Sequence, residues 1–333
     1  MRLINCLIVF IMSILSVNTN SSIYARSYCL MDGNSLEVIS SKNEHEIRSV
    51  ASISKIMTAI ISIESDRLFE VIKVDEVIYQ IEGSSLYLEI GNEITIIDLV
   101  YGLLLRSGND AAVLLASNLS SSIDEFVKLM NNKAKEIGMN NTIFNNPSGL
   151  DIFDEGNLST PYDMSLLMSY CLNNRLFREI SSTKYYKTPL KGQWKNKNKL
   201  LFDYEYCIGG KTGYTKKARR TLVTACEKDE QLLICCTFDC GGDFSFHKQM
   251  YESIYNNYYY FVLLNKGKNI INDYVIYSDR LIGKRFEKGN IKTITFVYYI
   301  NTDRNIFSGY AVVDNETKIE LVTIEGVYVT KSV

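Results

Sequence analysis

Histidine is almost missing from this chain. His45 and His247 are the only two among 333 residues. A serine nucleophile needs a base at neutral pH, so a histidine-centred triad has little to be built from. Cysteine is present but unpatterned. Cys6 falls in the apolar N-terminal run, which leaves Cys29, Cys171, Cys207, Cys226, Cys235, Cys236 and Cys240. Seven is odd, so at least one stays unpaired. The cluster around Cys235 has no C-x-x-C spacing and no nearby paired histidine. These cysteines read as buried small hydrophobes on strands rather than metal ligands or disulfides. An excess of charge is also lacking: 36 basic against 38 acidic residues give a formal net charge of -2. Nothing here supplies the basic footprint of a nucleic-acid binder. No repeat of 20–50 residues marks a solenoid. After the first twenty or so residues, no apolar run is long enough to span a bilayer.

What is present begins at the N-terminus. Residues 3–17 are nearly all apolar, Arg2 precedes them, and Asn18, Thr19, Asn20, Ser21 and Ser22 follow. This order reads as a signal peptide over residues 1–21, with cleavage after Ser21 as one option. An uncleaved anchor is the alternative, although about 18 or more apolar residues normally span a membrane. The expected location is the extracellular face of the cell envelope. With 46% hydrophobic residues, the remaining chain can bury one sizeable core and a small second module.

Strand-like runs at 27–32 and 35–40 flank Asp32-Gly-Asn34, which is hairpin chemistry. Residues 52–63 read as a helix. A longer helical stretch at 95–119 is broken at Arg106-Ser-Gly-Asn-Asp110, which predicts a loop between two helices. Residues 123–137 form an amphipathic helix stopped by Gly138, and Thr160-Pro161 opens another that runs to about residue 172. Strands are expected at 185–188, 208–212, 222–226 and 232–238, then a tyrosine-rich closing helix from 244 to about 261. Beyond residue 266, short runs at 270–277, 293–299, 309–313 and 318–324 predict an all-β module of roughly 65 residues. The fold expected for residues 22–263 is therefore α+β, with N- and C-terminal strands in one sheet and helices packed on it. Residues 264–333 would form the β-rich domain.

Ser52-Ile-Ser-Lys55 places a hydroxyl and an amine three residues apart at a helix start, on one face. Free backbone N–H groups at such a start can hold a developing oxyanion. An ordinary lysine is neutral about once in a few thousand at pH 7, so burial and a nearby cation must depress its pKa before it can act as a base. S-x-x-K alone is weak. Ser107-Gly-Asn109 falls in the helix break, and Lys211-Thr-Gly213 falls on a predicted strand. The three elements stand in the order S-x-x-K, S-x-N, K-T-G that marks penicillin-binding proteins and β-lactamases.

The wording around these elements resembles the low-molecular-weight serine-type D-alanyl-D-alanine carboxypeptidases, the S11 type. Ala51-Ser-Ile-Ser-Lys-Ile-Met-Thr58 is similar to the nucleophile helix, and Leu104-Leu-Arg-Ser-Gly-Asn-Asp-Ala-Ala112 to the second motif. Asn146-Pro-Ser-Gly-Leu150 followed by Ser159-Thr160 and Asp163 resembles a further family segment. Asn196-Lys-Asn-Lys-Leu-Leu201 leading to Gly210-Lys-Thr-Gly-Tyr-Thr215 resembles the approach to the third motif. The likeness covers roughly residues 26–260. It implies a penicillin-binding transpeptidase fold: an antiparallel sheet flanked by helices, with a small C-terminal all-β domain.

The resemblance also implies roles. Ser52 would attack D-Ala–D-Ala and form an acyl-enzyme, and Lys55 would take its proton. Ser107 would relay protons, and Asn109 would bind the substrate amide. Lys211 would supply positive field, and Thr212 and Gly213 would line the subsite of the terminal carboxylate. The N–H groups of Ser52 and Tyr214 would form the oxyanion hole. Two lysines placed together would depress the pKa of Lys55. Peptidoglycan stem peptides would be substrates and β-lactams covalent inhibitors. No cofactor or metal is called for. The C-terminal domain would meet a membrane-surface or envelope partner.

The chain departs from the family in three places. Val50 stands where proline is usual. Ala218-Arg-Arg220 stands where glycine and an aromatic are usual. Asp243-Phe-Ser-Phe-His-Lys248 has no arginine where some members use one for the carboxylate. Two rival readings remain open. A class A β-lactamase would need a deacylating glutamate, for which Glu155 is the candidate by position. A non-catalytic protein that only holds peptidoglycan is the other, since fold does not guarantee activity. A D,D-endopeptidase would use the same chemistry.

Overall fold

The computed structural model describes residues 24–331 apart from 80, 152–155, 189, 191, 272–273, 289–293, 302–305, 314–316 and 326–328. The expected leader over residues 1–21 lies outside the described residues.

Strands β1 (Ala25–Asp32), β2 (Val38–Lys42), β3 (Cys207–Thr215), β4 (Arg219–Lys228) and β5 (Gln231–Cys240) form one sheet in the order β2-β1-β5-β4-β3. Every pairing is antiparallel. The first strands of the chain thus lie beside the last strands of this region, as the sequence predicts. The hairpin between β1 and β2 turns on Asp32, whose Oδ1 accepts the N–H of Asn34 at 2.9 Å and of Ser35 at 2.8 Å. That bond set is the reason an aspartate suits a turn start.

Strand alternation decides what each face meets. On β5, Ile234, Cys236 and Phe238 join the larger core, while Leu233 and Cys235 join a smaller core on the opposite face. The larger core is a helical layer of α1 (Lys55–Ile63), α2 (Ile96–Arg106), α3 (Asn109–Leu119), α4 (Ile123–Ile137), α5 (Pro161–Leu172) and α6 (Arg175–Ser182). Helix starts carry the caps their sequences offer: Thr95, Ser122 and Thr160 each accept the N–H three residues on, and Asn174 accepts from Leu176 and Phe177. Such caps contribute about 1 kcal/mol each. Helix α1 is buried on nearly every side, Thr58 and Ser62 included. It is the central rod of the helical layer and carries the Ser-Lys pair at its head.

The opposite face is covered by α7 (Asp243–Asn257). Beneath it His247 sits between Thr224 Oγ1 at 2.7 Å and Thr237 Oγ1 at 3.0 Å, and burial pushes its pKa down to about 3. Tyr251 donates to Thr224 O at 2.7 Å and accepts the Cys235 N–H at 3.1 Å. His247 is therefore a neutral core residue, far from any acid–base duty. The seven cysteines after residue 24 are all buried and unpaired. Six are on strands, and Cys171 is on α5 rather than on a strand.

The closing helix is shorter than the sequence predicts. It ends at Asn257, and the four residues expected to continue it belong to β6 (Tyr258–Leu264). Consecutive tyrosines and phenylalanine favour a pleated surface, and Asn256-Asn257 stops the helix. Strand β6 pairs with β9 (Ile282–Glu287). The run expected at 270–277 is two strands, β7 (Gly267–Ile271) and β8 (Tyr274–Ser278), which pair with each other. Three longer strands, β10 (Ile294–Asn301), β11 (Ile306–Val313) and β12 (Thr317–Glu325), form a meander, and β13 (Val329–Lys331) returns to β8. Arg285 on β9 reaches back to pair with Asp32 and Glu37 at the β1–β2 hairpin. Among the described residues no helix is long and apolar enough to cross a membrane.

Candidate active site

Ser52 lies in a single 3-10 turn, Ala51–Ser54, that feeds directly into α1. The chain enters through Ala51 in the left-handed region, at φ 51. Thr221 on β4 donates to Val50 O at 2.9 Å and ties this entry to the sheet. Strand β3 passes in front of it. A Cβ on Gly213 would lie 3.0 Å from Ser52 N and 2.4 Å from Thr221 Oγ1. Only glycine lets the K-T-G strand come this close to the nucleophile's own N–H.

Lys55 is fully buried below Ser52. Its Nζ lies 3.0 Å from Ser52 Oγ and 2.6 Å from Asn109 Oδ1, and it also donates to the carbonyl of Ser148. The side chain of Asn109 is oriented from its other end, where Nδ2 donates to Glu82 O at 2.6 Å. Two of the three neighbours of Nζ, the Asn109 and Ser148 oxygens, are therefore acceptors only. A neutral amine has two N–H bonds and one lone pair. Both N–H bonds are taken by those oxygens, so the lone pair falls to the Ser52 hydroxyl. Burial, the repulsion of Lys197 and the weaker opposing pull of Asp110 bring the Lys55 pKa down to about 7. Lys197 is thus a further cation acting on Lys55, beside the Lys55–Lys211 pair that the motif pattern suggests. The repulsion within the lysine pair appears on Lys211, whose pKa burial and Lys55 hold well below its ordinary value.

Ser107 and Lys211 make a second half-site. Ser107 ends α2 in the left-handed region, at φ 67 and ψ 33, which turns its side chain back toward the groove. Its Oγ accepts from Lys211 Nζ at 2.9 Å, and Lys211 also donates to Thr212 O at 2.8 Å. Asn109 begins α3 immediately beyond, so the predicted break between the helices is what brings both side chains to one place.

The eight residues singled out from the sequence converge on a single groove of about 700 Å³. Ser52, Ser107, Asn109, Thr212, Gly213 and Tyr214 line it, and Lys55 and Lys211 are buried directly behind. The groove runs along β3, the edge strand of the sheet. An edge strand presents unpaired peptide groups to which an extended peptide can add.

Several contributors were given no role by motif reading. The Asn146–Leu150 loop reads in sequence as a turn cluster within a family-like segment, with no role assigned to it. Here Asn146 Oδ1 accepts from Ser148 N at 3.1 Å and Gly149 N at 2.6 Å, and Asn157 fastens the loop through the N–H groups of Asn145 and Asn146. Pro147 O accepts from Thr58 at 2.7 Å. Gly149, at φ 80, sits so close that a Cβ there would be 2.0 Å from Ala51 O. The loop's task is to press the Ser148 carbonyl onto Lys55. Lys197 is held over the groove by donating to Ser84 Oγ at 3.0 Å. Its own pKa is lowered by burial and by Arg106. The only available signal for Lys197 was its place in the Asn196–Leu201 run. Glu155, the candidate deacylating residue, lies outside the described residues. Among the described residues no group of three or more His, Cys, Asp or Glu side chains is gathered in a metal-binding arrangement.

This constellation supports acyl transfer: an activated hydroxyl, a base poised near neutrality, a backbone N–H beside the nucleophile and a cationic groove. Residues 15–241 match the sequence model of the family described as D-alanyl-D-alanine carboxypeptidase. The chain is similar to D-alanyl-D-alanine carboxypeptidase DacF of Bacillus subtilis, at 34% identity over 223 residues. That match covers 64% of this chain and 57% of the length of the Bacillus protein. Among solved structures, penicillin binding protein 5 from Haemophilus influenzae shares the fold at a TM-score of 0.78. That match has 22% identity and covers 94% of this chain and 98% of the other. Penicillin-Binding Protein D2 from Listeria monocytogenes, solved in its ampicillin-bound form, matches at a TM-score of 0.62 and 26% identity. It covers 69% of this chain and 96% of that one.

Proposed function

Because the chain belongs to the D-alanyl-D-alanine carboxypeptidase family of S11 peptidases, we propose that it removes the terminal D-alanine from peptidoglycan stem peptides through an acyl-enzyme on Ser52. The observation that carries this reading is the placement of the Lys55 amine. Two obligate acceptors take its N–H bonds, Ser52 Oγ stands at 3.0 Å, and its pKa lies near 7.

The Ser52 oxygen attacks the carbonyl of the penultimate D-alanine while its proton passes to Lys55. The Ser52 N–H and the Tyr214 N–H hold the oxyanion, a type of contact worth about 3 kcal/mol in the transition state. Collapse breaks the C–N bond. The proton held by Lys55 reaches the leaving amine by way of Ser107, and D-alanine departs with its carboxylate. Water then cleaves the ester and restores Ser52. Asn109 positions the substrate amide, and the cations behind Thr212 favour a substrate that ends in a carboxylate. Penicillins meet the same serine, open their ring on it and persist as an ester. No cofactor takes part.

The remaining assignments rest on sequence. Residues 1–21 direct export and place the enzyme on the outer face of the envelope. The strands after Asn257 form a separate domain that meets an envelope partner. N-terminal sequencing of the mature protein from culture would test the first of these.

The decisive experiment measures D-alanine released from a stem pentapeptide, together with covalent labelling by a fluorescent penicillin. Wild type should do both, and Ser52→Ala and Lys55→Ala neither. D-alanine release by Ser52→Ala at the wild-type rate would overturn the proposal. Rapid turnover of the penicillin instead of a stable adduct would favour a β-lactamase.

A further inference from the structure

Two of the buried cysteines face each other across the hairpin that carries the third motif, and none of the steps above uses them. Cys207 opens β3 and stands opposite Cys226 on β4. Opposed residues of an antiparallel pair project to the same side of the sheet, and both of these join the smaller core. The hydrogen bonds fix the kind of pair. The Glu227 N–H donates to Tyr206 O at 2.9 Å, while the Cys207 N–H turns away to Tyr204 O at 3.1 Å. A bond from the residue after one cysteine to the residue before the other marks a non-hydrogen-bonded pair. There the Cα atoms stand about 4.5 Å apart and the side chains lie closest. A disulfide spans Cα atoms about 4.4–6.8 Å apart, so the backbone is already set for a bridge.

The two sulfurs are not equivalent. Cys226 is fully buried, whereas Cys207 is 9% exposed and lines a cavity of about 620 Å³ together with Lys184, Tyr206 and Lys228. Asn198 Nδ2 donates to Cys207 Sγ at 3.7 Å. The Cys226 thiol, the Gly209 backbone, this amide and the charge of Lys184 together hold the Cys207 pKa below its ordinary value in spite of burial. Burial and the Cys207 sulfur push Cys226 well above its own. One sulfur is thus open to a reagent and disposed to be a thiolate, and the other stands behind it with a proton. A reactive thiol backed by a resolving thiol is what disulfide exchange requires.

A second cross-strand pair lacks these features. Cys29 on β1 stands opposite Cys236 on β5, but both are fully buried. Burial pushes the Cys29 thiol up to about 12 and Cys236 well above its ordinary value. The foot of β3 is also where a bridge has most to hold. The register shifts between Ala225 and Cys226, which leaves Ile208 with no opposite residue, and Gly209 and Gly210 follow before Lys211. A bulge beside two glycines weakens a ladder.

We propose that Cys207 and Cys226 are a disulfide site, closed by exchange with a small disulfide of the glutathione type into a staple across the foot of the K-T-G strand. The Cys207 thiolate attacks one sulfur of the reagent. The reagent S–S bond breaks, one thiolate leaves, and a mixed disulfide remains on Cys207. Cys226 then loses its proton to solvent, and its sulfur attacks Cys207 Sγ and expels the second thiolate. The two cysteines lose two electrons and two protons, and the reagent departs as two thiols. The inference stands apart from the carboxypeptidase reading and survives its failure.

The test incubates the purified full chain with oxidised glutathione and maps its cysteines by mass spectrometry of a non-reduced digest. Wild type should show one cross-link, Cys207 to Cys226, with Cys29 and Cys236 still free. Cys226→Ser should stop at the intermediate and keep one glutathione on Cys207. Cys207→Ser should leave Cys226 unmodified. Cys29→Ala should cross-link as wild type does. The bridge closes a loop of about twenty residues, so the thermal midpoint of the oxidised protein should exceed that of the reduced protein by about 5–10 °C. A protein carrying both Cys207→Ser and Cys226→Ser should show no such shift.

A folded wild type whose Cys207 and Cys226 stay free, or carry separate glutathiones, overturns the inference. So does a Cys29–Cys236 bridge that forms first, or a Cys207–Cys226 bridge that lowers the thermal midpoint.

Discussion

Replacing Lys55 with methionine should change stability in a way that depends on pH, and the size of the dependence follows from the site. The amine is fully buried, and its pKa is about 7 instead of the ordinary 10.5. The folded protein therefore holds this proton less tightly than the unfolded chain does. Between pH 7 and 10.5 the unfolded chain binds more protons, so stability rises with pH across that window. Below pH 7 the cost of burying the amine is present in full. At about 1.4 kcal/mol for each pH unit between the two pKa values, the cost is about 4 kcal/mol at pH 7. About 2 kcal/mol remains at pH 9 by the same linkage. Lys55→Met removes this titration and also leaves the Asn109 and Ser148 oxygens short of a donor, an effect that does not vary with pH. Lys211 is present in both proteins. The prediction is thus a slope: wild type should gain about 2 kcal/mol on Lys55→Met between pH 7 and pH 9. Urea unfolding at both pH values, with reductant to protect the thiols, reads it directly. A stability difference that is flat across those two units would refute the claim that Lys55 is neutralised by burial, and with it the mechanism in which its lone pair serves Ser52.

Three more expectations follow from the same geometry. Removing the charge of Lys197 by Lys197→Met should move the rising limb of the pH profile for penicillin acylation to higher pH, because a repulsion on Lys55 is gone. An unmoved limb would show that burial alone sets the base. Gly149→Ala should abolish D-alanine release and destabilise the fold by several kcal/mol, since a Cβ there meets Ala51 O at 2.0 Å in a backbone region that side chains disfavour; wild-type release would disprove the role of the loop. The native thiols should resist a water-soluble disulfide reagent until the protein unfolds. Cys207 should be the first exception, because its pKa is lowered while burial raises those of Cys226, Cys235 and Cys236; fast labelling of Cys235 or Cys236 in the native state would contradict their burial.

The parts of the site that were legible in the sequence are those written as short local strings. Ser52 and Lys55 share one helix turn, Ser107 and Asn109 flank one helix break, and Lys211 to Tyr214 share one strand. For these, residue type and spacing carry the chemistry. The rest depends on which distant segments meet. Nothing local says that the Ser148 carbonyl will face Lys55, 93 positions away, or that Lys197 will repel it. Arg220 and Asp243 looked like two separate departures from the family pattern, and the fold joins them into one ion pair. The fold shows the same division. Helices with caps and periodic apolar faces, such as Ile123–Ile137, were readable. The helix Arg175–Ser182 was not, because it is short, strongly polar, and held by burial of Phe177 and Ile180 against other helices. The closing helix was extended too far for the opposite reason. Tyrosines continue past Asn257 with no break in composition, and only pairing with Ile282–Glu287 makes them a strand.

The place of strand Cys207–Thr215 at the edge of the sheet also bears on how copies of the protein behave toward one another. A bare strand edge is a template on which another chain can grow. Folded proteins guard such edges with charges that would be stranded if a neighbour docked there. Strand Cys207–Thr215 must keep its edge open to receive a peptide, so it cannot be capped by a helix or a proline. The exposed, basic Lys216 and Lys217 just beyond it supply the guard instead. Neutralising Lys216 and Lys217 would therefore leave an unguarded edge and a protein inclined to self-associate at high concentration.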